Sequence, residues 1–440
     1  MLNSTDGAEK LSLRVIFVNR FFYPDHSATS QMLSGIALAL ARRGQAVSVI
    51  TSRLRYDNPD ARLPTRETVE GVQVHRVFTS GFGRSWLLGR AVDYLTFYLS
   101  AAWALLRLSR RGDVVIVKTD PPMLSVVLWP IAALRGARVV NWLQDIFPEV
   151  ALALGVGTRG IGRIGFRVLG WLRNLSLRRA AINVVLGERM ADHVGGLGVA
   201  RGRIRIVPNW ADGALIEPVP RETNPLRASW GLEHDFVVGY SGNLGRAHDF
   251  QTFLDAIQRT ERLQALQKAV PQVEAIGSSP GKLVSPRIRW LFIGGGALFE
   301  ELRRAAESQG VTSVMVRPYQ PQEVLAQSLS VPDVHLVTLR PELEGLVVPS
   351  KIYGIAAAGR PAIFIGDADG EIARLLARDN IGKVVEQGNG AALAETVLEL
   401  SQNPTEVAEQ GRRARTLFEV EFDLPRAVDA WERIIKDCKL

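Results

Sequence analysis

The chain has one cysteine, Cys438, among 440 residues. An internal disulfide is therefore excluded, and the composition fits a reducing compartment. Clean apolar runs are also missing. The aromatic stretch Trp86 to Leu108 is broken by Arg90, Asp93 and Arg107, whereas a membrane-spanning helix needs about 20 residues free of such charges. The start, Met1 to Lys10, is polar and has no signal core, which predicts a chain that is not exported. No basic run interleaved with stacking aromatics occurs, so a nucleic-acid partner is not expected. Asp367-Ala-Asp369 has the spacing of a metal-binding pair but follows a strand, and reads as a turn. Charged residues make up only 22% against 47% hydrophobic, which fits a globular chain long enough for two to four ordinary domains.

Acidic charge is scarce in one half only. Residues 1–210 hold 28 Lys and Arg against 14 Asp and Glu, a net +14; residues 211–440 hold 25 against 31, a net −6. A basic half without a nucleic-acid module points to an anionic membrane surface. The stretch Arg159 to Arg179 carries six arginines and no acid. Phe166, Leu169, Leu172 and Leu175, with Trp171 nearby, predict an apolar stripe along it. Arg163, Arg167, Arg178 and Arg179 would then face lipid headgroups, each adding about 1 kcal/mol of attraction. Trp86 to Leu108 reads equally well as an interfacial helix or as a packed one.

Strand-like apolar runs alternate with helical patterns along the whole chain, from Leu13–Asn19 to Lys383–Val385. Such runs indicate parallel sheets covered on both faces. The proline-rich segment 208–233 interrupts the alternation and reads as a linker. Residues 271–287 read as a polar surface insertion. Two doubly wound domains follow, with a ligand crevice between them.

The chemistry concentrates in Glu344-Gly-Leu-Val-Val-Pro-Ser-Lys351, followed by small apolar residues and Gly359-Arg-Pro361. Pro349 and Ser350 suit the first positions of a helix, and Lys351 adds a full charge beside its free amides, an arrangement that favours an anion. This segment resembles the donor motif of retaining family-4 glycosyltransferases with the GT-B fold. Pro208-Asn209-Trp210-Ala211-Asp212, Tyr240 to Arg246, Phe292 to Gly296 and Asp145-Ile-Phe-Pro-Glu149 are similar to further landmarks of that family, in order. The last is similar to a segment of its bacterial exopolysaccharide, O-antigen and colanic-acid subgroup.

The resemblance implies an α/β fold of two Rossmann-like domains: an acceptor and membrane-facing domain at 1–210, a linker at 211–235, a donor domain at 236–417, and a C-terminal helix at 418–440 that crosses back to the first domain. It implies transfer of a sugar from a nucleotide-sugar donor, with retention and without a metal, to a lipid-linked saccharide such as one on polyprenyl diphosphate. The product would serve cell-surface polysaccharide, capsule or lipopolysaccharide biosynthesis. The protein is expected in the cytoplasm, on the inner face of the membrane. Donor ligands are expected among Gly242, Asn243, Arg246, His248, Gly294, Gly295, Tyr319, Ser350 and Lys351. Glu344 is expected at the transferred sugar. The second glutamate of the family pattern is missing: the two possible registers give Ile352 or Gly354. Asp145 is the other catalytic candidate. Tyr23, Asp25, His26, Thr29, Asp120 and Glu149 are expected on the acceptor side. A sugar-nucleotide epimerase of the same fold, or a non-catalytic membrane or nucleic-acid binding protein, remain alternatives from the sequence.

Overall fold

The computed structural model describes residues 13–56, 58, 61–83, 87–156, 161–245, 247–269, 286–296 and 298–438. The expected insertion falls outside this set apart from residues 286 and 287.

Two sheets divide the chain. The first contains β1 (Val15–Val18), β2 (Val47–Ser52), β3 (Arg66–Val69), β4 (Val72–Val77), β5 (Val114–Lys118), β6 (Arg138–Trp142), β7 (Ile182–Val185) and β8 (Ile204–Ile206), in the order β3-β4-β2-β1-β5-β6-β7-β8. The second contains β9 (Phe236–Asn243), β10 (Ile288–Gly295), β11 (Val314–Arg317), β12 (Val334–Thr338), β13 (Ala362–Gly366) and β14 (Gly382–Glu386), in the order β11-β10-β9-β12-β13-β14. Central strands such as β1, β5 and β12 are buried along their whole length, as sheets covered on both faces require. Strand order reverses at β1/β5 and at β9/β12, which places a crevice at the carboxyl ends of each pair. The single antiparallel partner in the first sheet, β3, joins β4 through Glu70 and Gly71, both at positive φ.

One face of the first sheet is covered by the helices Leu87–Leu108, Leu124–Leu134 and Ile161–Arg179, with Phe97, Ala101, Leu105 and Leu128 packed on Val115 and Val117. The other face is covered by the helix Ala28–Arg42 and by the C-terminal helix Leu424–Asp437. Trp431 of that last helix packs against Trp142, with ring centroids 4.7 Å apart, and Trp142 stacks on Trp210 at 5.8 Å. The chain end thus completes the core of the first domain.

The segment 211–235 runs between the two sheets. Arg227 in it is fully buried, bonds to Asp333 and to the carbonyls of Val331 and Leu232, and fastens the segment to the second domain. Two expectations need correction. Phe166, Leu169, Leu172 and Leu175 do not face solvent: all four are partly buried, and the Phe166 ring lies edge-on to Phe147. The exposed side of the Ile161–Arg179 helix instead carries Ile164, Val168 and Trp171 between Arg163 and Arg167. Finally, Arg178 is not a free surface cation, because its Nε and Nη2 donate to the Leu197 carbonyl at 3.0 and 2.7 Å. Arg179 sits 5.9 Å from the Trp129 ring.

Candidate active site

The two crevices face each other across a main-chain contact. Asp145, just past β6, forms an antiparallel bridge with Val347, and the Ile146 N–H donates to the Leu346 carbonyl at 2.9 Å. The loop carrying Asp145 thereby lies against the loop that runs from Glu344 into the helix Lys351–Ala357.

On the donor side, Lys351 projects back over β9. Its Nζ stands 3.7 Å from the centre of the Tyr240 ring and has no hydrogen-bond partner among the described residues. Burial lowers its pKa to about 7. A charge in that position costs several kcal/mol until something neutralises it. Gly242 and Gly294 pair across β9 and β10 at φ +118° and +134°. A Cβ on Gly294 would collide with the Gly242 carbonyl, and one on Gly242 would come within 3.9 Å of the Lys351 Nζ. Bare backbone therefore lines the space around the lysine. Gly295 abuts the Tyr319 ring, which is largely exposed. Asn243 is exposed beside Gly296.

His248 lies beside this pocket but does not supply a second cation. Its Nδ1 lies 2.9 Å from the Thr338 carbonyl, and burial, with the Lys351 charge, lowers its pKa to about 4. Ser350 does not cap its helix through its side chain. Arg246 falls outside the described residues. Ile352, one of the two registers for the missing glutamate, is core, and Gly354 in the other faces Leu329 and Ile216.

Glu344 has a structural task. Its Oε1 accepts the N–H of Glu371 at 2.8 Å, supplying the helix Glu371–Asp379 with the cap that Gly370 has no side chain to provide. Burial raises its pKa, partly offset by that bond and by Arg189. Arg189 comes from the first domain, and its backbone N–H donates to Glu371 at 3.0 Å. Asp367 and Asp369 form a turn, with Asp369 paired to Arg374.

On the acceptor side, the carboxyl end of β5 brings together a cluster of which the sequence reading named only part. Lys118 Nζ donates to the Thr29 carbonyl at 2.9 Å and lies 4.1 Å from the Trp142 ring. Burial lowers its pKa to about 7 against the pull of Asp120 and Asp145. The Thr29 hydroxyl donates to Asp120 at 3.0 Å. Asp145 is raised to about 6 by burial, opposed by the Thr119 hydroxyl, and its Oδ1 is buried without a partner among the described residues. Of the strand end Lys118 to Pro122, the sequence reading took only Asp120 as a candidate, because a lysine ending an apolar run reads as the edge of a strand.

Two acceptor candidates are engaged elsewhere. Asp25 is buried and accepts the N–H groups of Ser27 and Tyr56, which fixes its own loop. Glu149 pairs with Arg173, its Oε2 3.0 Å from Nη1; despite burial, His193 and Arg173 hold its pKa at about 2. It ties helices together rather than facing the cleft freely. His26 and Tyr23 are exposed on the same loop as Asp25. The Asp145, Asp120, Lys118 and Thr29 group is what remains gathered at the crevice.

Residues 28–210 match the model of the glycosyl transferase 4-like domain. The chain is 27% identical over 294 residues to the probable glycosyltransferase WbjE of Pseudomonas aeruginosa, covering 67% of each chain. It is 24% identical to WcaI of Escherichia coli K12, a putative colanic acid biosynthesis glycosyl transferase, over 56% of this chain and 55% of that one. Among solved structures, HepE of Anabaena in complex with UDP and glucose superposes with a TM-score of 0.66 at 16% identity, covering 96% of this chain and 99% of that one. The two facing parallel-sheet domains are the GT-B architecture, and the chain is a glycosyltransferase of that fold, similar over residues 28–210 to the glycosyl transferase 4-like family.

Proposed function

We propose that this glycosyltransferase moves a sugar from a nucleotide-sugar donor to a hydroxyl of a lipid-linked saccharide, in the assembly of cell-surface polysaccharide, with retention at the anomeric carbon. The observation that carries the reading is the buried Lys351 ammonium over Tyr240, without a hydrogen-bond partner among the described residues, beside the Gly242–Gly294 backbone. A donor diphosphate would neutralise that charge and accept from neighbouring amides. The sugar would then project toward Glu344 and the Asp145 loop.

In the transfer, the bond from the anomeric carbon to the phosphate oxygen breaks and a bond from the acceptor oxygen to that carbon forms on the same face. The acceptor proton passes to the leaving phosphate oxygen. Asp145 would accept a hydrogen bond from the acceptor hydroxyl and orient it. Lys351 would hold the charge that grows on the departing diphosphate, so that no divalent ion is needed. The name of WcaI supports a polysaccharide acceptor, and the UDP and glucose held by HepE support a nucleotide-sugar donor. The net +14 of residues 1–210 supports work at an anionic membrane on the cytoplasmic side.

A thermal-shift screen against UDP, GDP, ADP and their sugars tests the donor site. One nucleotide should stabilise the protein, by about 2.7 kcal/mol at 100 times its dissociation constant. With a membrane extract as acceptor, the matching sugar nucleotide should release its nucleotide, with EDTA present or absent, and give an α-linked product from an α-donor. Protection by no nucleotide would overturn the reading. Loss of turnover in EDTA would overturn metal independence alone.

A further inference from the structure

The helix Leu87–Leu108 exposes a continuous apolar side. Leu88, Val92, Leu95, Leu99 and Trp103 are between 41% and 64% exposed. Their spacing of four, three, four and four residues keeps them on one side of the helix. At about 1.5 Å per residue the stripe runs some 22 Å. Single exposed apolar residues are ordinary on a soluble surface, but a contiguous apolar patch marks an interaction site.

The stripe continues into a rigid loop. Phe78 and Phe82 are 66% and 61% exposed. Asp93, on the inner side of the helix, is itself buried and accepts from the Ser80 hydroxyl at 2.7 Å and from the N–H groups of Phe82 and Gly83 at 3.0 and 3.1 Å. The charge that breaks the apolar run in the sequence is therefore a latch that faces inward and fixes the loop bearing Phe82.

Charge selects the occupant. The three helices on this face, Leu87–Leu108, Leu124–Leu134 and Ile161–Arg179, contain a single acid, the buried Asp93, against seven arginines. Arg163 and Arg167 are exposed, and beside them lie Ile164, Val168 and Trp171. Arg107 lies 4.4 Å from the Trp103 ring, an arrangement in which the guanidinium reaches outward while the aromatic body stays apolar. No helix among the described residues is long and apolar enough to cross a membrane.

We propose that the Leu87–Leu108 helix and the Phe82 loop lie flat in the headgroup layer of an anionic bilayer, with the Ile161–Arg179 helix, on the far side of the Leu124–Leu134 helix, as the basic rim. The proposal rests on the membrane placement in the proposed function and assigns its surface: the main insertion is through the first helix, not the arginine-rich one. The Tyr98 hydroxyl donates to the Pro122 carbonyl, so the inserted helix is bonded directly to the Thr119–Pro122 loop that carries Asp120. Lipid contact and the acceptor crevice share one rigid part.

Flotation of the full chain with vesicles of phosphatidylcholine, with and without phosphatidylglycerol, tests this. The wild type should float with the anionic vesicles. Leu95→Glu with Leu99→Glu, both on the exposed side, should reduce partitioning at least tenfold. Arg163→Glu with Arg167→Glu should reduce it severalfold and flatten its salt dependence. Nucleotide protection in the thermal-shift assay should be unchanged in both, which shows the fold intact and separates this test from that of the donor site. Wild-type-like flotation of the leucine double variant would overturn the proposal. So would a wild type that ignores anionic vesicles but runs as a dimer in gel filtration and is made monomeric by the same pair, since the stripe would then bind a second copy.

Discussion

Lys351 is buried where a charge is expensive, and it is kept there. Its pKa of about 7 lies below the ordinary 10.5, so between those values the unfolded chain holds the extra proton and stability rises as pH climbs through that window. Lys118, also near 7, acts in the same direction. Lys351→Met should raise the thermal midpoint of the free protein and flatten that rise, while donor affinity falls about 30-fold or more, the usual cost of stripping one partner from a buried charge pair. Calorimetry at pH 8 in buffers of different ionisation enthalpy should show proton uptake when the nucleotide binds, and little at pH 6. Equal uptake at both would contradict the assignment. Asp145 gives a second test. Its carboxyl ionises at about 6, so kcat/KM for transfer should rise with pH through that value. In Asp145→Asn this limb should vanish along with most of the rate.

Among the elements, the helix Glu371–Asp379 starts on a carboxylate borrowed from Glu344. Glu344→Ala should cost about 1 kcal/mol of stability, the worth of a cap, read as a lower midpoint in denaturant. If the same group also meets the sugar, affinity for the sugar nucleotide should fall while affinity for the bare nucleotide stays. The elements themselves were largely legible in the sequence, because buried parallel strands such as Val114–Lys118 and Val334–Thr338 are continuous apolar runs. The edge strand Arg66–Val69 was not legible. Its residues alternate between exposed and half-buried, and its turn uses Glu70-Gly71 in place of the Asn-Gly or Asp-Gly pairs that announce a hairpin. The candidate site was legible where residue type and motif coincided, as at Lys351 and Asp145, which the fold brings to facing loops. It was not legible where a charge served the fold: Glu149, Asp25 and Asp93 each looked free or disruptive, and each is used up by hydrogen bonds that only the tertiary structure supplies. The apolar stripe of the Ile161–Arg179 helix was placed on the wrong side, since periodicity gives a stripe but not what covers it.

For the molecule as a whole, the first domain depends on the end of the chain. Trp431, Val428, Ile434 and Ile435 sit in its core beside Trp142 and Phe17. Trp431→Ala should cost about 3–5 kcal/mol, as for other large core residues cut to alanine. Denaturant melts followed by tryptophan fluorescence should then show the first domain opening early while the donor domain still binds nucleotide. Loss of both together would mean that the two domains unfold as one unit, which the shared core of Leu186 and Met190 with Leu346 and Ile352 would explain.

A short main-chain rung is one of the contacts that join the halves: Ile146 to Leu346, with Asp145 opposite Val347. Under the proposed mechanism, the carboxylate that would orient the incoming hydroxyl and the chain segment leading to Lys351 share a common ruler. A wobble of either lobe would then carry both ends along, so that peptide geometry would set the distance between nucleophile and leaving group.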